Sequence, residues 1–151
     1  MTPLATVRSK PDSSVTIREY KIPSAGSKPY IAVQGPDGAL WFCESGVSKI
    51  GRFDPDKETF KEFPLPHAQS APYALGIAHD HTVWYSAEHR DVIGRLDPVT
   101  GKVTEFPMPY IDNGMRDFFL DKDNHMWYGS PPNNRVGYFY LSTRQHNADA
   151  R

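Results

Sequence analysis

The sequence predicts an all-β fold, and three observations carry that prediction. The first is a repeat. Trp41, Trp84 and Trp127 recur every 43 residues, and so do Gly51, Gly94 and Gly137. Asp37, Asp80 and Asp123 keep the same spacing, as do Pro23, Pro66 and Pro109, and Glu19, Glu62 and Glu105. The second is period-two alternation, clear in "TFKEF" and "KVTEF", where Phe60 and Val103 alternate with charged neighbours. The third is turn chemistry. "GPDG" and "DPVTGK" supply the dihedrals of tight turns between short segments, and no segment carries a helical period. Four short antiparallel strands in a period of roughly 40–45 residues make one propeller blade. The expectation is therefore a partial β-propeller of three four-stranded antiparallel blades.

The elements follow in order. Residues 1–14 read as a leader or the remnant of an upstream blade. "RSKPDSSVTIREYKIP" echoes "RFDPDKETFKEFPLP", with one extra residue needed for the match. The three blade units are placed at about 15–57, 58–100 and 101–141. In the first full set, strands are expected near Tyr30–Gln34, Leu40–Glu44, Lys49–Asp54 and Thr59–Phe63. The tryptophans fall at equivalent places on the second strand and are expected to fill the space between blades, where a large ring buries much apolar area. Gly51, Gly94 and Gly137 are expected to admit a neighbouring backbone. Residues 142–151, "STRQHNADAR", are polar and expected to be unstructured. Three blades leave two open radial faces, with Trp41 and Trp127 expected to be poorly covered. Closure would come from a second copy or from further sequence.

Composition excludes some partners. Seventeen Lys and Arg stand against 18 Asp and Glu, a formal net charge of −1, so charge gives no reason to expect nucleic acid or an anionic membrane. Cys43 is alone, which rules out an intrachain disulfide and a thiolate metal cluster. On an alternating strand it reads as a small packed residue. No apolar run approaches a membrane span. The opening "MTPLATVRSKPDSS" lacks a signal-peptide apolar core, so the chain as written reads as cytoplasmic, with a secreted or periplasmic full-length parent as the alternative.

Function should lie where the repeats differ. If strands alternate up and down, the start of each first strand shares a face with the end of each second strand. That face groups Tyr30 with Glu44 and Ser45, Tyr73 with Glu88, His89 and Arg90, and Arg116 and Asp117 with Ser130 and Asn133. The "GPDG", "AHDH" and "DKDN" turns fall on the opposite face, so His79 and His81 read as turn residues rather than ligands. "EHRD" at Glu88–Asp91 reads as a solvated loop on the candidate face, with ligand contact as the alternative. "MRDFF" at Met115–Phe119 breaks the repeat. Its Arg116–Asp117 pair fits either a structural ion pair or a site for an anion or carbonyl. His67 lies on the same face without an assigned role.

The pattern "GPDGALWFCES…KIGRFDP…FKEFPLP" closely resembles the streptogramin lyases, the virginiamycin B lyase family, over about Val15 to Leu141. The resemblance implies a seven-bladed propeller that opens cyclic depsipeptide antibiotics by Mg²⁺-dependent elimination. A base would remove the proton alpha to the ester, and the cation would stabilise the enolate-like charge. In that family a His near the start of a first strand is the base. The matching positions here are Tyr30, Tyr73 and Arg116, and the preceding acidic position is Lys28, Ala71 or Gly114. Tyrosine is a weak base at neutral pH and arginine is not one. The expected catalytic residues are Tyr73, His89 and Arg116. Tyr30, Asp117 and Asn133 are expected to bind substrate, and Glu44 and Glu88 to hold Mg²⁺. The implied ligand is a small molecule or cyclic peptide, acted on in a complete or assembled propeller. The alternative is a non-catalytic binding propeller or an inert fragment.

Overall fold

The computed structural model describes residues 5–8 and 16–141. Thirteen strands form four antiparallel sheets among them. β1 (Ala5–Arg8) pairs with β2 (Ile17–Tyr20). The first four-stranded sheet is β3 (Pro29–Gln34), β4 (Leu40–Glu44), β5 (Lys49–Asp54) and β6 (Thr59–Pro64), in sequence order. The second is β7 (Pro72–Ile77), β8 (Val83–Ala87), β9 (Val92–Leu96) and β10 (Val103–Pro107), again in order. The third is β11 (Phe118–Leu120), β12 (His125–Ser130) and β13 (Arg135–Tyr140). The place of a fourth strand in that sheet lies outside the described residues, as does the polar tail. No helix of the described residues is long and apolar enough to cross a membrane.

The sheets are the expected propeller blades, with strand ends within a residue of the sequence reading in the first. They lie offset from the units 15–57, 58–100 and 101–141, because each fourth strand pairs with the three strands before it. β2 stands 43 residues ahead of β6 within a residue at each end. The β1–β2 pair thus occupies third- and fourth-strand positions of the repeat. Among the first strands, β7 packs against both β3 and β11.

Alternation along each second strand builds the core. On β8, Val83, Tyr85 and Ala87 face the first sheet, where they meet Trp41, Cys43, Ile50 and Phe63. Trp84, between them in sequence, faces the third sheet with Ile93, Met115, Phe118 and Met126. All five β8 residues are buried because the middle sheet is covered on both faces. Trp41 and Trp84 fill the gaps between sheets as expected.

Two expectations need correction. Trp41 is only 4% exposed, whereas Trp127 is 41% exposed. Each tryptophan points toward the following sheet, so Trp41 is sealed by the second and only Trp127 is left open. The repeated glycines do not admit a neighbouring backbone. A Cβ on Gly51 would stand 2.3 Å from the Phe42 ring, one on Gly94 1.9 Å from Tyr85, and one on Gly137 2.7 Å from Tyr128. Each glycine is the cross-strand partner of that aromatic, so the ring lies flat across it.

Candidate ligand-binding rim

The rim is built from a backbone device repeated three times. Lys28, Ala71 and Gly114 have φ of 47°, 48° and 55°, and Gly26, Gln69 and Asp112, two residues earlier, have φ of 69°, 62° and 53°. These left-handed positions turn the chain sharply just before each first strand. For a non-glycine residue such backbone costs on the order of 1 kcal/mol. Two residues after each second kink stand Tyr30, Tyr73 and Arg116. Register shifts fall at Tyr30/Ala32 and between Pro72 and Leu75, and bulges of this kind re-aim side chains. At the second bulge the freed Ala74 N–H donates to Ser86 Oγ (2.9 Å), whose hydroxyl donates to the Met115 carbonyl (3.0 Å).

The result is a contiguous row. The Tyr30 and Tyr73 rings stack with centroids 4.5 Å apart and planes at 28°. The Arg116 guanidinium lies 5.8 Å from the Tyr73 ring centre. Its Nε stands 3.5 Å from Glu88 Oε1. Tyr30 is exposed, Tyr73 and Glu88 are half-buried and the Arg116 side chain is largely exposed. Glu88 opens the short 3-10 turn Glu88–Arg90, which ends at Asp91 in the left-handed region.

The other expected site residues are placed differently. His89 is exposed on the same turn. Asp117 does not pair with Arg116, whose carboxylate partner is Glu88. Asp117 Oδ1 instead accepts from the Phe118 N–H at 2.9 Å. Asn133 Nδ2 donates to the Asp112 carbonyl (3.2 Å) and to Ser130 Oγ (3.0 Å). Asp91 accepts from the Asp112 and Asn113 N–H groups at 2.8 Å each. Asp91 and Asn133 thus hold the loop ahead of Arg116. His79 and His81 are exposed turn residues, as expected, and His67 Nε2 lies 3.6 Å from Glu105 Oε2.

The two glutamates expected as Mg²⁺ ligands are in different environments. Glu88 faces Arg116 on the open rim. Glu44 is fully buried and shares a face of β4 with Phe42, away from the second sheet. Burial, and then the Glu62 carboxylate opposite, raise its pKa to about 7. Burial also acts to raise that of Glu62, but hydrogen bonds from Ser24 and Lys49 outweigh it and hold Glu62 below the usual carboxylate range. Among the described residues no three His, Cys, Asp or Glu side chains are grouped to hold a metal. Glu44 and Glu88 therefore do not fit a shared Mg²⁺ site. Burial pushes the Cys43 thiol up as well, which suits an inert packed residue.

The Tyr–Tyr–Arg row was not foreseen as a contact. Its signal was present in the numbering, since 30, 73 and 116 are repeat-equivalent and adjacent first strands bring them side by side. The row can stack planar groups and direct a cation at carbonyl or anionic oxygens.

Comparison with known proteins agrees with this architecture. The model of the virginiamycin B lyase family matches residues 6–147. A virginiamycin B lyase from Streptomyces coelicolor is 42% identical over 41 residues, 27% of this chain and 14% of that one. The crystal structure of selenomethionine-substituted virginiamycin B lyase from Staphylococcus aureus superposes with a TM-score of 0.72 at 24% identity. That match covers 93% of this chain and 50% of that one. A catalytically inactive histidine-to-alanine variant of the Staphylococcus aureus enzyme, solved with quinupristin, gives a TM-score of 0.71 at 26% identity, covering 85% and 46%. The chain thus spans about half the length of these solved relatives. With its repeat, its propeller sheets and a family match over nearly its whole length, the chain belongs to the virginiamycin B lyase family.

Proposed function

We propose that this chain supplies a substrate-binding arc of a streptogramin B lyase-like propeller, which opens a cyclic depsipeptide by elimination once further blades complete the ring. The observation that carries this reading is the Tyr30–Tyr73–Arg116 row, set at three consecutive first-strand starts inside the residues that match the family. Stacked tyrosines offer faces to the aromatic and amide planes of a peptide ring. Arg116 offers planar donors to its carbonyls, and Glu88 holds the guanidinium in place.

The chain's own residues bind and orient. Neither Tyr30, Tyr73 nor Arg116, which stand where the family carries its base, is suited to take a proton alpha to an ester at neutral pH, and His89, exposed on the Glu88–Arg90 turn, lies outside that position, so the base is assigned to blades beyond the described residues. A bound Mg²⁺ would polarise the ester carbonyl in such an elimination. Glu44 and Glu88 do not fit a common site for it.

Binding of quinupristin, followed by calorimetry, tests the arc. Wild-type chain should bind, and Tyr73→Ala and Arg116→Ala should each weaken binding with the fold intact by circular dichroism. Equal affinity in all three would overturn the assignment. A second reading, a non-catalytic binding propeller, is favoured by the same absence of a base at residues 30, 73 and 116. Ring opening followed by mass spectrometry, with and without EDTA, separates the two. Turnover abolished by EDTA supports the lyase, and binding without turnover in an assembled ring supports the binding propeller.

A further inference from the structure

Glu44 has no counterpart in the other sheets, where its position is held by Ala87 and Ser130. Its side chain is fully buried, and neither carboxyl oxygen has a hydrogen-bond partner among the described residues. The second sheet explains what it replaces. There Tyr85 lies across Gly94, and its hydroxyl donates to Glu105 Oε1 at 3.0 Å. In the first sheet Phe42 lies across Gly51 in the same way, but it has no hydroxyl. Glu62 holds the position of Glu105. Glu44 Oε1 lies 2.7 Å from where a Gly51 Cβ would stand, and Gly51 is the cross-strand partner of Glu62.

We propose that Glu44 is a neutral carboxylic acid in the folded protein and donates its hydrogen bond to Glu62, doing for the first sheet what the Tyr85 hydroxyl does for the second. An ionised carboxylate sealed from water beside a second carboxylate is strongly disfavoured, and one shared proton relieves both the burial and the repulsion. The charged groups facing Glu44 are Glu62 from β6 and Lys49 from β5. Lys49 Nζ stands 3.2 Å from Glu62 Oε2 and 2.7 Å from Ser24 Oγ. Ser24, on the segment leading to β3, donates to Glu62 from its N–H (3.2 Å) and its hydroxyl (3.1 Å). The protonated pair therefore ties the segment that delivers Tyr30 to the outer strand of the sheet. A neutral acid in this place is a structural donor and not a Mg²⁺ ligand. The proposal stands independently of the lyase reading.

Infrared spectroscopy and thermal unfolding of the full chain test it. Below neutral pH the wild type should show the C=O stretch of a buried protonated carboxyl, absent in Glu44→Gln. The amide of Glu44→Gln keeps a donor, so it should melt no lower than wild type at neutral pH. Glu44→Ala should melt lower, and adding Phe42→Tyr to it should recover part of the loss by rebuilding the second-sheet pair. Added MgCl₂ should leave the melting temperature unchanged. A wild type without the protonated-carboxyl band would overturn the proposal, even if the variants failed to fold. So would a Mg²⁺-dependent rise in melting temperature that Glu44→Gln abolishes.

Discussion

Tyr73 is the joint of the rim row, touching Tyr30 on one side and Arg116 on the other. Truncating it removes a stacked pair and a cation–π contact together, worth about 1–2 kcal/mol of organisation. Tyr73→Ala should weaken quinupristin binding roughly tenfold, whereas Tyr73→Phe, which keeps the ring, should bind nearly as wild type. Calorimetric titration distinguishes them. Glu44 sets a pH dependence at the same scale. Its folded pKa, about 7, lies above the ordinary 4.5. The folded state therefore holds this proton more tightly than the unfolded chain. Its stabilising effect is full below about pH 4.5 and is lost as pH rises through 7. Melting temperatures should fall across that window, and the fall should be shallower in Glu44→Gln. Glu62 does not cancel the trend, because its carboxyl is held below the usual carboxylate range and so titrates beneath that window.

At the level of elements, each second strand is locked to its third by an aromatic laid across a glycine. The Gly94 position is the tightest, with Tyr85 1.9 Å from a hypothetical Cβ, and Gly137 is looser at 2.7 Å from Tyr128. Tyr85 cannot swing away without leaving Glu105. Gly94→Ala should thus cost about 1–3 kcal/mol, more than Gly137→Ala, as read from urea unfolding. The strands themselves were legible in the sequence, because "TFKEF" alternates and "GPDG" turns. The glycine's partner was not, since a spacing of 43 marks equivalence without saying which neighbour crosses the gap. The rim shows the same limit. Strand direction placed Tyr30, Tyr73 and Arg116 on one face correctly. It could not show the left-handed pairs at 26/28, 69/71 and 112/114, because only Gly26 and Gly114 advertise that backbone. Nor could it show that Glu44 points inward while Glu88 points to Arg116. One residue of offset at a strand end moves a side chain to the opposite face.

Across the whole molecule, the sheets stack so that each covers the tryptophan of the one before it. Trp41 and Trp84 are 4% and 8% exposed, and Trp127 is 41% exposed. Phe119 and Tyr138 flank Trp127 in register on β11 and β13, at 69% and 54% exposure. The third sheet therefore presents, on the face that the first and second sheets bury, an aromatic row that they lack, since Val33 and Arg52 flank Trp41 and Gly76 and Arg95 flank Trp84. Stability should follow coverage rather than residue type. Trp84→Ala opens a cavity between two sheets and should cost about 3–5 kcal/mol. Trp127→Ala removes a ring already partly in water and should cost less than half as much in the isolated chain. Urea unfolding of the two variants measures the difference directly. Equal costs would mean that the Trp127 face is covered in solution, and the concentration dependence of the melting temperature would then show whether a second copy covers it.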